Sequence, residues 1–178
     1  MLTVLLLALV SAATCATRAH RADARARRSE RLADGEFLLA FSGLLAKMAM
    51  ADGTVSSCEV ETAERMFADM GLSRAERAMC IGNFVLVQRE GGDAKAMAGK
   101  LAVSFNHVAC LFLYGLVLRV AMADRRIDDG EESLLKEIGV ALGLSEDERA
   151  GFRQGKAPAF DRAALEAAGV PSAVIRLG

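Results

Sequence analysis

The sequence predicts an all-α protein: a compact bundle of about seven helices made of two pseudo-repeated helical hairpins, preceded by an N-terminal membrane anchor. The first observation is a motif that occurs twice without a gap, at residues 48–77 and 120–149, so that Asp52 is paired with Asp124. The second is that apolar residues in both copies recur every three to four positions, as in amphipathic helices. The third is the composition, since two prolines and abundant Ala, Leu, Met and Glu favour helices.

Each copy of the repeat is predicted to run as helix, acidic loop, helix, tight turn and helix. In the first copy the apolar face is formed by Phe37, Phe41, Leu44, Leu45, Met48, Val60, Ala63, Met66, Phe67 and Met70. Each acidic loop has the spacing of a capping box, with Ser56 and Glu59 in the first copy and Asp128 and Glu131 in the second. Both acidic loops are therefore predicted to start a helix.

The tight turns carry the tripeptide Gly-Leu-Ser, at residues 71–73 and 143–145. Glycine readily adopts the left-handed conformation that ends a helix, and serine is a good N-cap for the next one. Glu76 and Glu148, which follow the serines by three residues, support these caps. The turns thus predict a helix hairpin in each copy.

The remaining apolar segments complete the helical domain. A third helix is predicted from Ser73 to a stop before Gly91, followed by a short helix that Asp93 caps. Residues 108–123 are almost wholly apolar around Arg119. Because this stretch is short and its repeat partner is an ordinary amphipathic helix, we expect a buried central helix whose arginine reaches solvent, rather than a membrane span.

The chain divides into four parts. Residues 1–17 are uncharged and mostly apolar, residues 18–35 form an Arg- and Ala-rich linker, residues 36–151 form the helical domain and residues 152–178 a C-terminal tail. With 178 residues the chain can bury one good core but hardly two. Asp161 is expected to cap a short helix in the tail, which is either docked on the domain or loosely held.

The apolar N-terminal segment, residues 2–17, has three interpretations. We favour a single-pass anchor whose Arg-rich flank stays in the cytoplasm under the positive-inside rule. At roughly 1.5 Å per residue the segment spans about 24 Å, somewhat less than a hydrocarbon core of roughly 30 Å. A cleaved signal peptide would use Ser11 and Ala13 near its cleavage site, although no basic side chain precedes Leu2. A buried helix is the third interpretation.

Charge and motif content argue against several classes of function. A net charge of −1 and a pI of about 6.2 disfavour general nucleic-acid binding, which needs clustered Lys and Arg. Gly91-Gly92 lacks the Lys and Thr of a phosphate-binding loop, and no serine has a nucleophile-elbow context. His107, beside Asn106, could act as a base with the thiol of Cys110 one helical turn away, but such a pair is more typical of a helix start and an apolar core. We therefore predict a protein that is not an enzyme and has no catalytic residues.

At the two acidic loops the sequence resembles the TerB-like family, named for tellurite resistance and found also in DjlA-type membrane-anchored co-chaperones. The matching residues are Ala51, Asp52, Gly53, Val55 and Glu59, and Ala123, Asp124, Ile127 and Glu131, each set followed by Gly-Leu-Ser. The resemblance covers about residues 36–150. Arg125 stands where the family usually has the loop glycine, and no His-Pro-Asp tripeptide is present, so the co-chaperones' J domain is absent. Co-chaperone activity is therefore not implied as a whole.

The acidic loops raise the question of a metal site. Carboxylates are the ligands that hard divalent cations use, and the resemblance implies a suspected metal-binding role. The candidate ligands are Asp52, Glu59, Asp124, Asp128 and Glu131. Their spacing does not match an EF-hand, and we favour the alternative in which these side chains cap helices or accept loop N–H groups as Asx turns. No cofactor is certain, and a divalent cation is the candidate that remains.

These observations predict a non-enzymatic, membrane-tethered TerB-like module for protein interaction or stress sensing. Its expected location is the inner membrane, with the globular domain in the cytoplasm. The expected partners are the membrane and another protein, with a homodimer as an option and no nucleic acid. The alternative function is a divalent-cation sensor that uses the acidic loops, and the alternative location is outside the cytoplasm after signal cleavage.

Overall fold

A computed structural model describes residues 35–51, 53, 57–123, 127–170 and 172–176, without the side chains of Glu59 and Ala173. The chain divides into two units, Met1–Glu36 and Phe37–Gly178, and nearly all of the described residues belong to the second. The predicted anchor at residues 2–17 and the basic linker lie outside the described residues.

The part of the chain that the structure describes is entirely helical and contains no strand, which confirms the predicted fold class. The helices are α1 (35–48), α2 (Ser57–Asp69), α3 (Arg74–Glu90), α4 (Ala94–Ser104), α5 (His107–Ala121), α6 (Asp129–Ala141), α7 (Glu146–Arg153), α8 (Arg162–Ala167) and α9 (Ser172–Ile175). Helices α1 to α7 correspond to the bundle of about seven predicted from the sequence. The tail adds α8, which was predicted, and the short α9, which was not.

The repeat is preserved in the helix boundaries. Helices α1, α2 and α3 correspond to α5, α6 and α7, and each start in the first copy matches the start in the second when Asp52 is aligned with Asp124. We call these groups repeat 1 (α1 to α3) and repeat 2 (α5 to α7). Helix α4 connects the two repeats and packs against α5 and α6. Each repeat is therefore a three-helix unit.

The predicted caps explain where most helices begin. The Ser73 hydroxyl accepts from the Glu76 N–H at 3.3 Å while the Ser73 N–H donates to the Glu76 carboxylate at 2.8 Å, and Ser145 and Glu148 repeat this arrangement. Asp93 also caps its helix as predicted, through the Ala96 N–H. Asp161 stands at the N-cap of α8, but its side chain makes no capping hydrogen bond. Asp161 is therefore the N-cap residue of α8, as predicted, but without the side-chain hydrogen bond of a cap.

The glycines of both tight turns have the left-handed conformation that the sequence predicts. Gly71 has φ of 64° and Gly143 has φ of 78°. A residue with a Cβ is disfavoured at such angles, so glycine allows each helix to stop and the chain to turn directly into the next helix.

Helix α5 is the centre of the core. Ten of its fifteen residues are buried, including Phe112, Tyr114 and Leu116, whereas Arg119 is exposed in its last turn. Among the described residues, none of the helices is both long and apolar enough to cross a membrane. The prediction that this segment is a buried central helix with an outward-reaching arginine is confirmed.

The C-terminal tail is docked on the domain. Leu165 and Val174 are buried, and α8 packs against α5. Arg176 donates from Nη1 to the carbonyl of Met70, at 3.4 Å, at the end of α2. Of the two alternatives for the tail, the docked one is therefore observed.

Candidate functional site

The predicted metal ligands are only partly described by the structure. Asp52 and Asp124 lie outside the described residues, as does the side chain of Glu59. Asp128 and Glu131 form a capping box in which Asp128 Oδ1 accepts from the Glu131 N–H and Glu131 Oε2 accepts from the Asp128 N–H, both at 2.8 Å. Glu131 is buried, with 6% of its surface exposed. The helix-capping role predicted for this pair is confirmed, and the predicted capping box of Ser56 and Glu59 lies outside the described residues.

The two acidic loops approach each other at Gly130. A Cβ added to Gly130 would lie 2.5 Å from the carbonyl oxygen of Ala51 and 3.2 Å from Asp128 Oδ1. Ala51 belongs to the first loop and Asp128 to the second, so one oxygen atom from each loop lies against Gly130. Within the described residues no group of three or more His, Cys, Asp or Glu side chains is arranged to hold a metal ion.

A second polar feature connects α5 with α7. His107 Nε2 lies 2.6 Å from Glu148 Oε1. The hydrogen bond with His107, followed by those from Ser145, lowers the pKa of Glu148 from 4.5 to about 2. Glu148 therefore caps α7 and ties the start of α5 to it.

His107 and Cys110, the pair considered as base and thiol, have separate environments. Cys110 is buried, and burial raises the pKa of its thiol, which keeps it protonated. Asn106 caps α5 through the Ala109 N–H, as expected for a helix start. His107 is partnered instead with Glu148, a contact that the sequence did not predict, because it joins residues 41 positions apart.

The third polar feature is a buried arginine in repeat 2. Arg149 is 8% exposed, and its guanidinium donates from Nε to the carbonyl of Ser145 and from Nη1 to that of Lys136, at 3.1 and 3.3 Å. Its side chain crosses α6 at Gly139, where an added Cβ would lie 2.3 Å from Arg149 Cδ and 3.1 Å from Tyr114 Cε2. The absence of a side chain at Gly139 therefore makes room for the arginine.

Arg149 lies in the wall of an open pocket between α6 and α7, which we call the α6–α7 pocket. Its volume is about 390 Å³, and its polar lining consists of Glu132, Lys136, Glu146, Arg149, Arg153 and Gln154. Arg153 forms an ion pair with Glu132. Within the described residues, Lys136 and Arg149 form no ion pair. The pocket thus contains three cationic and two anionic side chains.

Tyr114 lies behind this pocket. It is fully buried and packs edge-on against Phe152, with ring centroids 5.4 Å apart. Burial raises the pKa of its hydroxyl, whereas the nearby Arg153 and Arg149 lower it. Although Arg153 approaches the hydroxyl, no described group meets the geometry of a hydrogen bond with it. A buried polar group without a partner is uncommon in proteins.

The sequence did not predict the α6–α7 pocket, yet one signal for it was present. In the alignment of the two copies, Gly139 of α6 occupies the position that Phe67 holds in α2, and Phe67 is buried. A glycine where the other copy has a large core residue indicates that something else occupies the space. Here that group is the side chain of Arg149.

Two three-helix repeats, which approach each other where Ala51 lies against Gly130, define a small all-helical repeat protein in the residues described. The chain belongs to the TerB family: residues 38–154 match the family described as Tellurite resistance protein TerB. No curated protein and no solved structure shows significant similarity to the chain. The match covers both repeats and supports the resemblance seen at the acidic loops, while the likeness to DjlA-type proteins stays a prediction.

Proposed function

We propose that this TerB-family protein is a non-enzymatic, membrane-tethered module that recruits a partner protein at the cytoplasmic face during tellurite or envelope stress. Family membership supports the connection to tellurite resistance. The apolar residues 2–17, followed at once by an Arg-rich stretch, support the tether. Neither the recruitment of a partner nor the membrane tether requires a catalytic residue.

The observation that carries the recruiting role is the outer face of α3. Ile81, Val85 and Leu86 are 37%, 45% and 49% exposed, and Leu39 of α1 is 40% exposed. Helices α1 and α3 are joined where Asn83 Nδ2 donates to the Leu39 carbonyl and the Ser42 hydroxyl, at 2.9 and 3.0 Å. A rigid helix that exposes aliphatic side chains is suited to bind an amphipathic helix of another protein.

The test is crosslinking and affinity capture of the full chain from membranes, with and without tellurite exposure. The variant Ile81→Lys/Val85→Lys places charges on the outer face of α3. The matched control is Val103→Lys, because Val103 is the most exposed of the large apolar side chains described, at 89%, and lies on α4. We expect a defined protein to be lost from the first variant and retained by the control.

Two results would contradict the proposal. Equal capture by both variants would show that α3 is not the recruiting surface. Recovery of the chain in the soluble fraction with residues 2–17 removed would exclude the tether. If the captured protein is the chain itself, the partner is a second copy, and the role as a recruiting module is wrong.

A divalent-cation sensor is the second candidate, and the meeting of the two acidic loops favours it. The Ala51 carbonyl and Asp128 Oδ1 both lie against Gly130, so each loop brings an oxygen donor to the start of α6. Asp52 and Asp124 belong to the same loops in the sequence and are the further carboxylates that this proposal assigns to the cation. In this interpretation the cation would fix the loops relative to each other.

Calorimetric titration of the full chain with Ca²⁺ and with Mg²⁺ tests the sensor. Saturable binding that is lost in Asp52→Ala/Asp124→Ala would support it. Asp93→Ala is the control, since it removes a helix cap at α4 without touching the acidic loops. Absence of saturable heat for both cations would leave the loop carboxylates as caps and turn residues.

A further inference from the structure

Two arginines at equivalent positions of the repeats differ in their burial. Arg149 of repeat 2 is buried against Gly139, whereas Arg77, its counterpart in repeat 1, is exposed. The position equivalent to Gly139 holds Phe67, which is buried. An aromatic ring therefore occupies this space in repeat 1, whereas the side chain of an arginine occupies it in repeat 2.

Burying an arginine is unfavourable unless its charge is compensated. Arg149 donates to two backbone carbonyls, which satisfy N–H groups but carry no formal charge. Lys136, whose own carbonyl is one of these acceptors, also lines the pocket and forms no ion pair within the described part of the chain. The only carboxylate paired inside the pocket, in the residues described, is Glu132, which is already bonded to Arg153.

Tyr114 provides an independent observation at the same place. Its hydroxyl is fully buried, has no hydrogen-bond partner among the described groups, and lies close to Arg149 and Arg153. An unsatisfied buried phenol therefore lies close to two of the arginines that line the pocket.

We propose that the α6–α7 pocket binds a phosphate group, either as the free ion or on a small molecule. Arg149 and Lys136 are the cations left without a carboxylate, and a phosphate dianion brings two negative charges to them. The planar guanidinium of Arg149 matches phosphate oxygens, and Lys136 supplies a second, mobile ammonium. With about 390 Å³, the pocket is large enough for an organic group beside the phosphate.

Glu146 also lines the pocket but does not prevent this binding. The lining has three cationic side chains and two carboxylates, Glu132 and Glu146, so its net charge stays positive. The inference concerns repeat 2 alone and does not depend on the α3 surface, the acidic loops or the membrane tether.

The experiment is calorimetric titration of the purified full chain with inorganic phosphate and, separately, with glycerol 3-phosphate, in chloride buffer of constant ionic strength. We expect saturable binding at one site. Tighter binding of glycerol 3-phosphate would identify a phosphorylated small molecule, and equal or tighter binding of inorganic phosphate would identify the free ion; both results support a phosphate pocket.

Variants of paired positions make the test specific. Lys136→Gln removes one charge from an exposed side chain and is expected to weaken binding about tenfold. Arg77→Gln, at the position in repeat 1 that corresponds to Arg149, is the control and is expected to bind like the unaltered chain. Arg149→Lys keeps the charge but loses the planar fork, and should also bind more weakly. If Arg149→Lys does not fold, Lys136→Gln alone decides.

Three results would overturn the inference. The first is the absence of saturable heat with both probes up to about 10 mM. The second is unchanged affinity in Lys136→Gln, or a loss in Arg77→Gln of the same size. The third is acetate binding as tightly as phosphate, which would show a general attraction for single negative charges.

Discussion

The two repeats have the same helix starts and the same turns, but they differ in what lies between their second and third helices. In repeat 1, Phe67 fills this space and packs edge-on against Phe84, with ring centroids 6.3 Å apart. In repeat 2, Gly139 leaves the space to Arg149, and the polar α6–α7 pocket results. One repeat thus serves mainly the core, while the other exposes a polar recess. The difference follows from one position, which is a glycine in α6 and a phenylalanine in α2.

Removing the aromatic ring of repeat 1 is expected to have the largest effect on stability. Phe67→Ala is expected to lower the free energy of unfolding by about 3–5 kcal/mol, because it removes a buried side chain and leaves a cavity. Urea unfolding of the full chain measures the change. Val140→Ala, at an exposed position of α6, is the control and should differ by less than about 0.5 kcal/mol. A loss below about 1 kcal/mol for Phe67→Ala would mean that repeat 1 does not depend on this ring.

Converting repeat 2 to the pattern of repeat 1 is the reciprocal test. Gly139→Phe is expected to destabilise by about 1–3 kcal/mol, since the new side chain must displace Arg149 and press on Tyr114. The control is Gly82→Ala in α3, where an added Cβ has open space and should stabilise by up to about 1 kcal/mol. Urea unfolding compares the two. Equal stability of Gly139→Phe and the unaltered chain would show that the arginine leaves its site without cost.

The caps, which the repeats share, should be equivalent. Ser73→Ala and Ser145→Ala are each expected to lose about 1 kcal/mol of stability, because each removes a side-chain acceptor at a helix start. Asp128→Ala should lose a similar amount at the start of α6. Thermal unfolding with and without chelator separates the roles of Asp128. A loss that appears only when divalent cations are present would replace the capping role with metal binding.

The smallest expected effect concerns His107. Its position in repeat 1 is occupied by Gly35, which has no side chain to pair with a carboxylate. The pKa of Glu148 is lowered from 4.5 to about 2 in the folded chain, so this contribution to stability is present above pH 4.5. It is lost as the pH falls through about 2. His107→Gln removes the first cause of the shift, and the variant should lose less stability over this range than the unaltered chain. Urea unfolding at a series of pH values measures this, and parallel pH profiles would contradict it.

The sequence predicted those features that depend on neighbouring residues. The capping boxes of α3, α6 and α7 and the left-handed turns at Gly71 and Gly143 are local, so their spacing alone indicates them. The all-helical fold and the buried position of α5 followed from apolar periodicity. Membership in the TerB family agrees with the residues of the acidic loops.

What the sequence did not predict depends on contacts between distant segments. The bond between His107 and Glu148 joins two helix starts that only the fold brings together. The burial of Arg149 needs the missing side chain of Gly139 on another helix, and an arginine in an amphipathic helix is ordinarily expected at the surface. Helix α9 is four residues long and has too few turns for a periodic pattern.

The contact of Arg176 with Met70 has a consequence for synthesis of the chain. The two residues are 106 positions apart, and the arginine donates to a carbonyl at the end of α2. While the ribosome makes the protein from its N-terminus, repeat 1 emerges long before the residue that covers its turn. Repeat 1 therefore acquires this hydrogen bond only after the tail has been made. A nascent chain stalled before residue 176 should be cleaved by a protease near Gly71 more readily than the released protein.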